Sequence, residues 1–197
     1  MARPYRLFIV RHLKTTANEK RQYCGWTDCD LLATQRDAIE FPIEVEQVYG
    51  SDLKRTRQTA AIYFPQAVFT EDPRLRECHF GDFEEKTYEQ LKDDTDYRQW
   101  LDDPWQKAPR NGETLEQVKS RVLAAVHELP NEMVVVTHSG VIRLLLDLFS
   151  RDQKPFWEWN VQNGSAWQFE WADEQQWKEG KPCTSISEVP ITVKRST

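Results

Sequence analysis

Apolar and polar positions along this chain fall into short alternating blocks. Leu7–Val10 ("LFIV") is an uninterrupted apolar run, and "EMVVVT", Glu132–Thr137, contains another. Continuous short runs of this kind are the pattern of parallel strands buried on both faces. "VEQVYGS", Val45–Ser51, predicts a further strand and "AVFTED", Ala67–Asp72, a short one. "GSAWQFEW", Gly164–Trp171, alternates and predicts a late strand. Between them lie helical patterns. "SDLKRTRQTAAIYFP" has Ser51 or Asp52 to cap its start and Pro65 to stop it. "TYEQLKDD" and "TDYRQWLDD" predict two short polar helices. Thr114 and Gln117 have capping-box spacing and open a helix with Leu115, Val118, Val122 and Val126 on one side. "GVIRLLLDLFS" predicts a helix after the "EMVVVT" strand. Strands alternating with helices predict an α/β sandwich with a largely parallel sheet.

Two of the buried-strand runs end in a histidine. His12 follows the first and His138 the second, while the strand "VEQVYG" leads into Ser51 and then Arg55 on the first helical turn. In open α/β sheets ligands bind outside the carboxyl ends of the strands. Three strand ends thus bring Arg11, His12, Arg55 and His138 toward one crevice. All four are hydrogen-bond donors or potential cations, and the natural ligand is an anion. Phosphate fits best, because guanidinium forks match its oxygens. Two alternatives remain open from the residues alone. Each histidine has a structural reading, and His12, His79 and His138 have a zinc reading, although no H-x-H or H-x-x-x-H pair is present.

Length and charge narrow the classes. The chain has 197 residues, a net charge of −6 and a sequence pI of about 5.3. It is sized for one domain, and its acidity argues against nucleic acid as a partner. A locally positive pocket is compatible with that surface. Cys24, Cys29, Cys78 and Cys183 show no CxxC spacing and read as reduced thiols. The N-terminal apolar run is too short for a signal peptide, and Arg143 and Asp147 interrupt "VIRLLLDLF", so no membrane span is expected. A cytoplasmic protein follows.

At this point the motifs are recognisable. "VRHLKTTAN" resembles the R-H-G-x-T signature of the histidine phosphatase superfamily, which includes the phosphoglycerate mutases. "SDLKRTRQTA", "LRECHFGDFE" and "VVVTHSGVIR" are similar to its later motifs, in the same order. The resemblance implies a phosphoglycerate mutase-like fold, a three-layer α/β/α sandwich with a mostly parallel central sheet. It would be a single domain over 1–197, with a small helical cap over about 81–113 and a polar C-terminal tail over about 178–197. It further implies that His12 is the nucleophile accepting a phosphoryl group. Arg11, Asn18, Arg55, His138 and Ser139 would hold the phosphate, and Glu77 would be the general acid. A neutral imidazole is a good nucleophile for phosphorus. Positioned cations supply the charge that stabilises phosphoryl transfer, so neither metal nor other cofactor is implied.

The segment "FGDFEEKTYEQLKDDTDYRQWLDD" is short and acidic where the mutases carry a long basic insertion, and Phe80 stands at the mutase Tyr position. Both features favour a phosphatase. "YCGWTDCDL", "CHFGDFE", "RNGETLEQVKSRV" and "WEWNVQNGSAWQFEW" are similar to alpha-ribazole phosphatases of cobalamin biosynthesis. A small phosphorylated metabolite, such as alpha-ribazole 5'-phosphate, is then the expected partner, and no membrane or nucleic acid. Trp100 and Trp105 would either stack on its base or pack the cap. A homodimer is left open. Leu13 stands where the family has Gly, Lys14 where an acid is common, and Ser139 where Gly follows the second histidine. Leu13 keeps one alternative alive, a phosphate-binding pseudo-enzyme with weak turnover; a mutase is the other.

Overall fold

The computed structural model describes residues 3–34, 39–152 and 154–193. In chain order its elements are β1 (Tyr5–Arg11), α1 (Thr16–Glu19), β2 (Ile39–Glu40), β3 (Gln47–Gly50), α2 (Lys54–Tyr63), β4 (Val68–Glu71), α3 (Tyr88–Leu91), α4 (Thr95–Asp102), α5 (Leu115–Val126), β5 (Met133–Thr137), α6 (Ser139–Phe149), β6 (Ala166–Trp171), α7 (Glu174–Lys178), β7 (Ser185–Val189) and β8 (Thr192–Val193). Six strands form one sheet in the order β4-β3-β5-β1-β6-β7. β4, β3, β5 and β1 run parallel to one another, and β6 is antiparallel to both of its neighbours.

Strand periodicity explains the layers. Successive side chains of β1 point to opposite faces of the sheet. Leu7 and Ile9 join a core cluster with Val118, Val122, Ile142 and Leu145 of α5 and α6. Phe8 and Val10 join another with Ala60 and Tyr63 of α2. Helices therefore cover both faces of the sheet, in the three-layer α/β/α arrangement. Burial on both faces is why β1 and β5 read as continuous apolar runs. Among the described residues, no helix is long and apolar enough to cross a membrane.

The capping box of α5 forms as its spacing predicts: Thr114 Oγ1 accepts from the Gln117 N–H (3.2 Å), and Gln117 Oε1 accepts from the Thr114 N–H (2.9 Å). The start of α2 differs from expectation. Leu53 is its N-cap and no side chain caps it; the Ser51 hydroxyl is bonded to His138 and Thr56, and the Asp52 carboxylate accepts from Arg76 (2.6 Å). The segment expected as a helical cap carries α3 and α4, whose Leu91, Tyr97 and Trp100 form a small hydrophobic cluster with Phe83, with Tyr23 and Phe80 packed against it.

The described residues of the expected polar C-terminal tail are built into the sheets. Ser185–Val189 is β7, paired residue for residue with β6 from Ala166↔Val189 to Glu170↔Ser185. Thr192–Val193 pairs with Ile39–Glu40, and Cys183 is buried. β7 reads as polar because it is an edge strand with mostly exposed side chains, so its backbone pairing leaves little trace in hydropathy.

Candidate active site

Strand register builds the site. β1 and β5 are parallel neighbours with Arg11 opposite Thr137, so His12 and His138, the next residues, emerge together. The His12 N–H donates to the Thr137 carbonyl (2.9 Å), and the two imidazole centroids are 5.2 Å apart. On the other side of β5, Gly50 of β3 lies opposite Val136. That register brings Ser51 to His138, with Oγ 2.8 Å from Nε2.

A cleft opens here. Arg11, His12, Asn18, Glu77, Ser139, Gly140 and Arg143 line it, together with Tyr23, Phe80, Trp100, Phe156 and Trp157.

His12 Nδ1 lies 2.6 Å from the Leu13 carbonyl oxygen. A carbonyl only accepts, so Nδ1 carries the proton and Nε2 keeps its lone pair. Burial, reinforced by the charges of Arg55 and Arg11, holds the imidazole pKa well below its ordinary 6.5. His12 is therefore neutral at pH 7.

His138 differs. Arg55 Nε donates to its Nδ1 (3.2 Å), which leaves the proton on Nε2 and directs it to Ser51 Oγ. The chain continues from the Ser51 hydroxyl to Thr56 Oγ1 (3.1 Å), and from there to the Ser51 and Leu53 carbonyls (2.7 Å each). Burial, with Arg55 and His12 adding, holds the His138 pKa well below 6.5 as well. Expected toward the same crevice, Arg55 and His138 come beside His12 but are fully buried, directly behind the cleft lining. The cause is the loop at 24–29, whose Cys24, Gly25 and Thr27 carbonyls accept from the Arg55 guanidinium (3.3, 2.6 and 3.1 Å).

Glu77 is buried at the start of α6. Its Oε2 accepts from the Gly140 N–H (2.9 Å) and its Oε1 from the Cys78 N–H (3.0 Å). One of the orphan donors at the helix N-terminus is thereby satisfied. A Cβ at position 140 would stand 2.2 Å from Glu77 Oε1, so the close approach requires glycine. Asn18 Oδ1 is taken by the Thr15 N–H and Asn163 Nδ2 (3.1 Å each), which leaves its Nδ2 hydrogens to donate elsewhere. Ser139 Oγ accepts from Arg143 (2.9 Å). Arg11 donates to the Val161 carbonyl, while its Nε is buried without a partner. Burial lowers the Arg11 pKa to about 10, with Glu77 opposing the shift; the group stays cationic at pH 7.

The zinc alternative does not assemble. His79 packs against the Trp26 ring (centroids 4.7 Å) rather than beside the other two histidines. Among the described residues no group of three or more His, Cys, Asp or Glu is placed to hold a metal ion. Trp105 lies off the cleft, its ring 6.4 Å from that of Phe156. Trp100 packs inside the cap cluster and also reaches the cleft. Leu13 turns its side chain into the core under α2, not into the cleft. Its φ is outside the left-handed region, so nothing in the backbone demands glycine there.

The family model described as the histidine phosphatase superfamily (branch 1) matches residues 7–181. The chain belongs to the histidine phosphatase superfamily. One relative in it, an adenosylcobalamin/alpha-ribazole phosphatase of Salmonella typhimurium, is 30% identical over 179 residues, covering 81% of this chain and 87% of its own. Phosphoserine phosphatase 1 of Hydrogenobacter thermophilus is 28% identical over 178 residues, covering 81% and 83%. The crystal structure of the alpha-ribazole phosphatase from Shigella flexneri superposes with a TM-score of 0.69 at 25% identity, over 86% of this chain and 92% of that one. Against this background, sequence reading missed Ser51, Arg143 and Asn163. Ser51 had a signal: it follows a third strand end, as the histidines do. Arg143 and Asn163 had none.

Proposed function

We propose that this histidine phosphatase superfamily member is a phosphomonoesterase that works through a phosphohistidine at His12. The observation that carries the reading is the state of that imidazole: neutral, with Nδ1 tied to the Leu13 carbonyl and Nε2 unprotonated in a cleft. Nε2 attacks phosphorus, the P–O bond to the leaving group breaks, and Glu77 delivers a proton to the departing oxygen. Glu77 then takes a proton from the water that attacks the phosphohistidine; the P–Nε2 bond breaks, phosphate leaves and His12 returns to its neutral form. Arg11, with its unpartnered Nε, the Asn18 amide and the Ser139 hydroxyl hold the phosphoryl oxygens. Arg55 and His138 join them when the 3.2 Å contact between the pair opens toward the incoming charge. The guanidinium of Arg143 supports Ser139 and adds positive field.

The substrate is a small phosphorylated metabolite with an apolar or aromatic portion, which Tyr23, Phe80, Trp100 and Trp157 would face. A nucleoside-like monoester of the alpha-ribazole 5'-phosphate kind suits this lining, and two of the relatives described above carry that name. The short acidic cap gives no basic clamp for a bisphosphorylated partner, which favours phosphatase over mutase. Leu13 leaves the cleft open, which favours turnover over a binding-only pocket.

The test is an alkaline quench during turnover. Phosphohistidine survives alkali and is lost in acid, so phosphate should be trapped on the peptide containing Arg11–Lys14. Phosphate on His138, or turnover with no trapped phosphate, would overturn the assignment. Glu77→Gln should reduce turnover of alkyl phosphates by about 10²–10⁴-fold and that of nitrophenyl phosphate much less, since its leaving group needs little protonation. Equal losses on both would move the acid role elsewhere.

A further inference from the structure

Two thiols stand beside the cleft with no part in the chemistry above. Cys24 Sγ and Cys29 Sγ are 3.1 Å apart, about 1 Å from the ~2.05 Å of a disulfide bond. Both residues are half-buried, within reach of a small oxidant, whereas Cys78 and Cys183 are buried. Framework contacts hold the segment between them. The Trp26 and Thr27 N–H groups donate to the Glu84 carboxylate (2.8 and 2.6 Å). The Cys24, Gly25 and Thr27 carbonyls accept from Arg55. The same short loop therefore presents the thiol pair and cradles the guanidinium that bonds His138. Cys24 also lines the cleft.

We propose that Cys24 and Cys29 are an oxidative modification site: a peroxide-class oxidant converts them to a reversible disulfide, whose closure pulls on the Arg55 cradle and lowers turnover at His12. The roles of the two sulfurs are unequal. The Cys29 thiol is lowered to about 6, first because the Cys24 thiol donates to its sulfur, with the Arg55 charge and the Thr15 hydroxyl adding. The Cys24 thiol is pushed up by the same bond and by burial. Cys29 thiolate attacks one peroxide oxygen; an S–O bond forms, the O–O bond breaks, and the other oxygen leaves as an alcohol or water. Cys24 sulfur then attacks the sulfenic sulfur; an S–S bond forms, the S–O bond breaks, and hydroxide leaves as water with the Cys24 proton. Two electrons pass from the thiols to the peroxide, and a dithiol reductant returns them.

The effect on turnover rests on the phosphomonoesterase reading; the disulfide does not. The whole chain is treated with hydrogen peroxide, alkylated and mapped by mass spectrometry, with nitrophenyl phosphate turnover read in parallel. The expected result is a Cys24–Cys29 cross-link lighter by two hydrogens, with Cys78 and Cys183 still reduced. Turnover falls several-fold and dithiothreitol restores it. Cys29→Ser, or Cys29→Ala should the serine variant not fold, keeps basal turnover and loses the peroxide response. Sulfinic acid at Cys29 without a cross-link, a cross-link with unchanged turnover, or an equal peroxide response in the Cys29 variants would each overturn the proposal. Should the reduced chain turn over no phosphomonoester, the phosphatase reading fails by itself. The affinity for inorganic phosphate then replaces turnover: weaker binding in the oxidised form supports the proposal, and unchanged binding overturns it.

Discussion

The ends of β1 and β5 look alike in sequence and do different things in the fold. Each is a buried apolar strand that stops at a histidine, and both histidines are held neutral by burial. His12 has one nitrogen bonded to a carbonyl and sits on the cleft. His138 has both nitrogens engaged, by Arg55 and Ser51, and lies behind the cleft. The difference is not in the strands. It comes from the neighbour on the far side of β5, which supplies Ser51 and Arg55, whereas β6 beside β1 supplies no such partner. Two equivalent strand ends thus become one imidazole facing the cleft and one braced behind it.

The largest test of that division is removal of each imidazole. Under the proposed mechanism His12→Ala removes the attacking atom and should lower turnover by about a thousandfold or more. His138→Ala should cost less and should leave alkali-stable phosphate still trapped on His12. Single-turnover kinetics with both variants decides; equal losses with no trapped phosphate in either would erase the distinction.

Acid should expose what the two histidines share. Their native pKa values lie below 6.5, so below pH 6.5 the unfolded chain binds protons that the native chain refuses. Each histidine then removes about 1.4 kcal/mol of stability per pH unit, from the unfolded value down toward the native one; above pH 6.5 it removes nothing. Urea unfolding at about pH 7.5 and 5.5 measures the loss, and His138→Gln should show a shallower decline than the parent chain. An unchanged decline would mean that His138 accepts its proton in the fold. The acidic limb of kcat/KM should likewise fall below 6.5.

How much of this was legible in the sequence follows from what each residue touches. Leu7–Val10 and Met133–Val136 declared themselves because burial on both faces forbids polar residues. Thr114 and Gln117 declared a helix start because the capping box is local. Arg11, His12, Asn18, Glu77 and Ser139, which the motif resemblance singled out, all line the cleft. The illegible parts depend on partners far along the chain. Ser51 reads as a helix cap, yet its hydroxyl belongs to His138, 87 residues on. Arg143 reads as an interruption of an apolar helix face, yet it bonds Ser139 and the Trp159 carbonyl. β7 reads as tail because an edge strand of Ser, Ile, Ser, Glu and Val has no need of an apolar face.

Ser51→Ala sharpens the comparison at its source. It leaves the His138 Nε2–H buried without an acceptor, which costs about 1–3 kcal/mol of stability. Turnover should fall about tenfold, through loss of orientation at His138, with His12 untouched. A Ser51→Thr variant that keeps the hydroxyl should recover much of both. A loss as deep as that of His12→Ala would show that the support and the nucleophile act as one unit.

The smallest effect belongs to the aromatic lining of the cleft. Trp157 is 42% exposed although it lines the cleft and meets the ring of Trp100 edge-on at 5.4 Å. Trp100 itself is 1% exposed and is held by Tyr97, Phe83 and Phe80, so its removal would unpack the cap and confound any kinetic result. Trp157 is the aromatic that can be removed with the core intact. Stacking on a base or aryl group is worth about 1–3 kcal/mol per ring pair in comparable sites; for a ring this exposed the lower end applies. Trp157→Ala should therefore raise KM for aryl and nucleoside monophosphates about fivefold, with kcat nearly unchanged. Small alkyl phosphates, which offer nothing to stack, should be processed as before. A uniform rise in KM across both classes would mean that Trp157 merely shapes the cleft. A fall in kcat without a change in KM would place it with the groups that act on the transition state rather than with those that recognise the substrate.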